Sequence, residues 1–205
     1  FGTELSKFYR VVSLDLPGHG KSGSICGNQT MEIMADTVKA VLDHLGISRA
    51  VIIGHSMGGY VTLAFAEIFP EKTFGYCLFH SHALADSEEK KSNRDREIEL
   101  VRSGKKMLIV NTNIPRAFAD SNISKLSDEV EKAKKIAVST KDDGIICALK
   151  GMKARTDRTR VLVESNLPVM IVAGKKDNYI PFSLYEQHFN LAKQTEILIL
   201  EDSGH

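Results

Sequence analysis

The chain predicts an α/β fold: a mostly parallel sheet with helices on both faces, interrupted by an all-helical insertion. Three observations predict it. Short apolar runs alternate with segments of helical period, the rhythm of strand–helix–strand crossovers. A charged stretch from about Ala83 to Asn166 carries helical patterns and no run of comparable strand character. The apolar run Val51-Ile52-Ile53 also passes straight into Gly54-His55-Ser56-Met57-Gly58-Gly59, leaving no room for an ordinary loop.

Taken in order, Arg10–Leu14 is the first buried strand, followed by Ala50–Ile53, Tyr76–Phe79, Val169–Ala173 and Ile197–Leu200. Each is a short β-branched or apolar run, as strands covered on both faces are. Thr30 is the expected N-cap of a helix whose apolar face uses Met34, Val38, Val41, Leu42 and Leu45, with Gly46 at C′. Met57, Val61, Ala64, Phe65 and Ile68 line a second helix that must stop before Pro70, and Phe182, Tyr185 and Phe189 mark a third. Within the insertion, Asp86-Ser87-Glu88-Glu89 and Ser127-Asp128-Glu129 read as helix starts, acidic where the helix dipole is positive. The organisation is therefore residues 1–82 and 167–205 as two parts of one core, with 83–166 as a helical cap over the carboxyl edge of the sheet. An insertion of that length usually roofs a pocket.

Composition narrows the function. Basic residues number 27 and acidic 26, a net charge of +1, so there is no electrostatic case for nucleic acid or an anionic membrane. No apolar run approaches the ~20 residues of a membrane span. Cys26, Cys77 and Cys147 are odd in number and widely spaced, which fits reduced thiols and a cytoplasmic compartment. No HExxH and no Cys/His cluster marks a metal site, and no cofactor is expected. The string Gly18-His19-Gly20-Lys21-Ser22 matches the tail of a phosphate-binding loop, but the required first glycine falls on Asp15 and no helix follows at once, so nucleotide binding is rejected.

The glycine-fenced serine carries the chemistry. A strand entering a helix through so tight a turn forces strained backbone angles, which persist where surrounding structure enforces them. Gly54 and Gly58 are expected to be small because strand and helix approach too closely there for side chains. Ser56 is thereby lifted above the sheet edge, with the amide of Met57 placed as an oxyanion-hole donor at the positive end of the following helix. This is the GxSxG nucleophile elbow in its strand–turn–helix context. An incidental serine in a glycine-rich turn is the plainer alternative.

The chain resembles the α/β-hydrolase superfamily, in particular its capped branch of small esterases, enol-lactonases and related cofactor-free hydrolases. The resemblance is carried by Leu14–Gly23 (LDLPGHGKSG), Gly54–Lys72 (GHSMGGYVTLAFAEIFPEK), Ala85–Arg94 (ADSEEKKSNR), Gly151–Thr159 (GMKARTDRT), Pro168–Pro181 (PVMIVAGKKDNYIP) and Glu201–His205 (EDSGH). In that fold the order along the chain is Ser, then an acid, then His. The resemblance thus implies Ser56 as nucleophile, His205 as base and Asp177 as its orienting acid, the last two each following a strand at its carboxyl end. It also implies a further strand and a His-Gly loop with a second oxyanion donor upstream of Phe1, and a final helix after His205. A longer parent is therefore expected, and losing one oxyanion donor typically costs about 10²–10³ in rate.

The expected reaction is hydrolysis of a small carboxylic ester or lactone through an acyl-serine. Carbon–carbon bond hydrolysis or peracid formation by the same triad stays open, as does a non-catalytic ligand-binding protein on this fold. Among other histidines, His55 is expected to support the turn, while His44 and His188 are surface or structural. His80 and His82 follow a strand at the same edge and either line the pocket or simply pack. Met107, Leu108, Ile109, Ile114, Phe118 and Met152 either face the pocket or form the cap's own core. Oligomeric state is not legible in the chain.

Overall fold

The computed structural model describes residues 2–25 and 29–205, so the thiol of Cys26 lies outside the described residues. Four parallel strands form one sheet in the order β1 (Ala50–His55), β2 (Thr73–Phe79), β3 (Val169–Gly174) and β4 (Thr195–Leu200). Their register sets His55 beside Phe79 and Gly174 beside Leu200, so the segments that leave the four strands emerge along one edge.

Before the sheet come α1 (Gly2–Leu5) and α2 (Met31–His44). Thr30 caps α2 by accepting from the Ile33 amide, and Gly46 at φ 64° ends it in the left-handed conformation that glycine adopts without penalty. The buried stripe of α2 is Met31, Met34, Ala35, Val38 and Leu42. Val41 lies at the margin of that stripe and is half-buried, and Leu45, the C-cap residue beyond the last turn, is exposed rather than part of the apolar face.

Helix α3 (Met57–Ile68) joins β1 to β2 and is buried on nearly every side. Its Tyr60, Val61, Ala64 and Phe65 pack with α2, whereas Leu63 and Ala66 join Tyr76, Leu78, Ile171 and the helices that follow. Between β2 and β3 run α4 (Glu88–Arg102), α5 (Lys106–Arg116), α6 (Ser127–Ser139), α7 (Asp142–Ala154) and α8 (Thr159–Glu164). Ser87 caps α4 through the Lys90 amide. Between β3 and β4 lies α9 (Phe182–Glu186), whose Tyr185 is fully buried.

The inserted helices dock at defined points. Arg158 donates to Glu67 at 2.9 Å and pairs with Glu32, tying the end of the insertion to α3 and α2. Asp86 holds both Arg94 and Arg155, the latter at 2.7 Å. Gly144 of α7 lies so close to Gly18 that an added Cβ would stand 2.1 Å from the Gly18 carbonyl oxygen.

One expected strand does not form. Residues 10–16 join no ladder of the sheet, and Val11 and Val12 are exposed. A strand exists only where its amides and carbonyls meet a ladder. The free edge of β1, where Val51 is 60% exposed, does not reach this segment. Among the described residues no helix is long and apolar enough to cross a membrane.

Candidate active site

Ser56 joins β1 to α3 at φ 51°, ψ −117°, a positive φ that non-glycine residues rarely adopt. Neighbours hold it there. Its amide donates to the Phe79 carbonyl at 3.0 Å, and its own carbonyl accepts from the Ser81 hydroxyl at 2.9 Å. The crowded glycines are Gly54 and Gly59. A Cβ on Gly54 would stand 2.1 Å from the Gly58 carbonyl oxygen, and one on Gly59 would stand 2.3 Å from Ser81 Oγ. Gly58 differs from expectation: a Cβ there would have open space, because it is the Gly58 backbone, not its missing side chain, that presses on the strand.

The three side chains singled out from the sequence meet. His205 Nε2 lies 2.6 Å from Ser56 Oγ, and His205 Nδ1 lies 2.8 Å from Asp177 Oδ2. His205 is itself positioned by the insertion, since its amide donates to the Ala117 carbonyl at 2.7 Å. A Cβ on the preceding Gly204 would stand 2.5 Å from that same carbonyl oxygen. The His205 ring packs against Tyr179 and His55, with centroids 5.1 and 5.2 Å away.

The Asp177 side chain is fully buried, and both its oxygens are hydrogen-bonded. Oδ1 accepts from the amides of Tyr179 at 2.7 Å and Ile180 at 2.9 Å, an Asx-type turn that locks the loop after β3. Oδ2 accepts from His205 and, at 2.6 Å, from the hydroxyl of Tyr185. Burial pushes the carboxyl pKa up, but the hydrogen bond from His205, helped by His80 and Tyr185, outweighs it, and the pKa ends well below the usual carboxylate range. Asp177 is therefore a carboxylate at every working pH.

The remaining histidines separate by place. His80 follows β2 at φ 46°, buried, with Nδ1 3.7 Å from Asp177 Oδ2; that is beyond hydrogen-bond reach, and Nδ1 has no other partner. It belongs to the site. His82 turns away from it: Nδ1 accepts from the Leu84 amide, leaving Nε2 for the Tyr60 hydroxyl at 3.3 Å. His188 is buried and structural, accepting from the Ala83 amide at Nε2. His44 sits exposed at the end of α2. His55 is exposed overall, yet burial of its inner side, then His205 and His80, push its pKa down to about 4, so it is neutral beside His205.

Of the insertion residues, Met107 and Leu108 are exposed and Met152 packs against the α2–α3 core. The nucleotide-loop lookalike is a turn closed by its own acid, with the Lys21 amide donating to Asp15 Oδ2 at 3.0 Å. Among the described residues no group of three or more His, Cys, Asp or Glu side chains could hold a metal ion. The sequence reading missed Tyr179 and Tyr185 as neighbours of the acid. Tyr185 looks like any apolar helix residue in sequence, and only its place eight residues after Asp177 hints at contact.

Comparison with known proteins bears on this arrangement. Residues 2–73 match the family model described as alpha/beta hydrolase fold. A thermophilic esterase from Thermogutta terrifontis, solved with malate bound, superposes with a TM-score of 0.95 at 34% identity over 99% of this chain and 75% of that one. The chain belongs to the alpha/beta hydrolase family. An enol-lactonase from Burkholderia xenovorans shares the hydrolase fold with a TM-score of 0.88 at 22% identity, covering 98% of this chain and 76% of that one. In sequence, this hydrolase-family chain is 31% identical to the dihydrolipoyllysine-residue acetyltransferase component of the acetoin cleaving system of Pseudomonas putida, over 96% of its own length and 51% of that protein. A 2-hydroxy-6-oxononadienedioate/2-hydroxy-6-oxononatrienedioate hydrolase from Paraburkholderia phymatum is 49% identical over 65 residues, 31% of this chain and 23% of that one. The chain thus spans about half or less of these two relatives.

Proposed function

We propose that the protein is a serine hydrolase that cleaves a small carboxylic ester or lactone through an acyl-serine intermediate. The observation that carries this reading is the continuous line from Ser56 Oγ to His205 Nε2 at 2.6 Å and from His205 Nδ1 to Asp177 Oδ2 at 2.8 Å. Ser56 attacks the acyl carbon as His205 takes its proton. His205 then delivers that proton to the leaving oxygen, and water repeats the sequence to release the acid. Asp177 fixes the tautomer of His205 and stabilises the imidazolium. The Met57 amide, in the first turn of α3 where amides lack helical partners, donates to the oxyanion.

Residues 83–166 act as the cap over this edge, and the Ala117 contact to His205 supports that role. Cys77 and Cys147 are unpaired thiols, which favours a reducing, cytoplasmic setting. The partner is a small ester or lactone, with neither nucleic acid nor membrane involved and no cofactor required. Carbon–carbon bond hydrolysis is the second reading, favoured by the 49% identity over 65 residues to the Paraburkholderia hydrolase.

The test is labelling by a fluorophosphonate together with turnover of short p-nitrophenyl esters. Both are expected to vanish in Ser56→Ala, with turnover falling by about 10⁴ or more. Labelling or turnover that survives the substitution overturns the mechanism. Turnover of a vinylogous 1,5-diketone but not of esters selects the second reading.

A further inference from the structure

We propose that Tyr185 is a positioning residue for the reaction: its hydroxyl holds Asp177 and lowers the basicity of the oxygen that supports His205. The inference rests on the serine-hydrolase reading above. Its warrant is the way the Asp177 carboxylate is shared. Oδ1 is occupied by two backbone amides belonging to its own loop. Oδ2 is occupied by His205 and by Tyr185, whose 2.6 Å contact is shorter than the 2.8 Å contact of the histidine. Among the described residues no other side chain outside the reacting line donates to this carboxylate within hydrogen-bond distance. His80 Nδ1, at 3.7 Å, stops short.

A buried tyrosine hydroxyl needs some acceptor, and a plain core tyrosine could satisfy that need anywhere. Tyr185 instead spends its donor on the one oxygen whose charge the mechanism uses. As Ser56 gives its proton to His205 Nε2, positive charge appears on the imidazole and the Nδ1–H bond to Oδ2 strengthens. A second donor on Oδ2 withdraws electron density, so the carboxylate orients the imidazolium without taking its proton. Tyr185 keeps its own proton throughout, because burial first and Asp177 second push its hydroxyl pKa far above the ordinary phenol value. It is also fully buried in the core cluster that includes Leu162 and Ile171, with its ring 6.4 Å from Phe182, so the hydroxyl arrives on a rigid stem.

The other groups facing Asp177 and His205 stay in place when the hydroxyl is removed. They are His55 at the end of β1, Tyr60 of α3, whose phenol interacts electrostatically with Asp177, His80 after β2 and Tyr179 in the acid's loop, with Arg116 of α5 5.2 Å from the Tyr179 ring centroid and Lys90 of α4 interacting electrostatically with Asp177. A change in the titration of His205 is then assignable to Tyr185.

The experiment compares the pH profiles of the wild type and Tyr185→Phe on a short p-nitrophenyl ester. With the donor gone, Oδ2 becomes more basic and the imidazolium more stable, so the acid limb of kcat/KM moves up by about half a unit to one unit. On the plateau kcat falls about three- to tenfold, while KM stays within about twofold because the buried residue does not touch substrate. Nuclear magnetic resonance titration of the His205 ring reads the same upward shift without turnover. Should Tyr185→Phe not fold, uniform replacement of tyrosine by 3-fluorotyrosine, a stronger donor, moves both readouts the opposite way. An acid limb and a His205 titration that do not move, in protein whose Ser56 still labels, overturn the role of Tyr185 alone. Loss of the Ser56 requirement overturns the hydrolase reading, and the His205 titration then still measures the effect of Tyr185 independently.

Discussion

At Ser56 the backbone sits in a region that costs about 1–3 kcal/mol for a residue with a side chain. It is held there by the Phe79 carbonyl, by the Ser81 hydroxyl and by the near-contact of Gly54 with the helix start. The two fenced glycines are not equivalent, and that is testable. Gly54→Ala forces a methyl group into backbone that cannot yield, and is expected to destabilise the protein by about 3 kcal/mol or more and to abolish labelling of Ser56. Gly58→Ala meets open space and is expected to change unfolding free energy by no more than about 1 kcal/mol. Chemical denaturation of both variants decides it; equal losses would mean that the two positions are crowded alike. The sequence showed that small residues were needed at this turn. Which glycine is pressed, and by what, depends on the angle at which α3 leaves β1, and that angle comes from packing.

At the level of elements, the insertion is fastened by close backbone contact as much as by charge. Gly144 in α7 touches the Gly18 turn, and Arg158 bridges to α2 and α3. Because backbone faces backbone at Gly144, a methyl group there cannot be absorbed by a rotamer change. Gly144→Ala is expected to cost about 2–3 kcal/mol locally and to raise hydrogen exchange across 142–154 while the amides of β2 and β3 stay protected. Unchanged protection of α7 would show that the contact does not fasten it. Helix starts and stops were legible because their signals are local: Thr30, Gly46 and Ser87 each satisfy or free a backbone group one turn away. The segment Arg10–Leu14 shows the limit. Its composition suits a strand, but a strand also needs a partner, and no property of five residues reveals whether one is adjacent.

For the whole molecule, buried neutral histidines link stability to pH. Burial, and then Arg155, push the pKa of His82 down to about 3. Its folded pKa lies below the ordinary value near 6.5, so between those limits the unfolded chain binds more protons and stability falls with acidification. His188 is shifted in the same direction, chiefly by burial. From pH 7 to 5 the loss from His82 alone is expected to be about 2 kcal/mol. Urea unfolding at pH 7 and pH 5 should show it, and His82→Gln should flatten the difference. A stability that does not fall in that window would mean His82 is protonated in the folded state. Asp177 acts in the same sense in a lower window: its depressed pKa stabilises the fold above the ordinary carboxylate range, and that stabilisation is lost as the pH falls below it.

The sequence by itself determined the strand–helix alternation, the helix caps, the position of the serine turn, and the chain order that places an acid and a histidine after the last two strands. These are matters of neighbours within a few residues or of sequence order. Only the tertiary structure decided that the insertion's Ala117 carbonyl seats His205, that His80 joins the site while His82 joins the core, and that the Tyr185 hydroxyl rests on Asp177. Such contacts are set by the register of the sheet and the docking of helices across it, where a shift of one residue points a side chain to the opposite face.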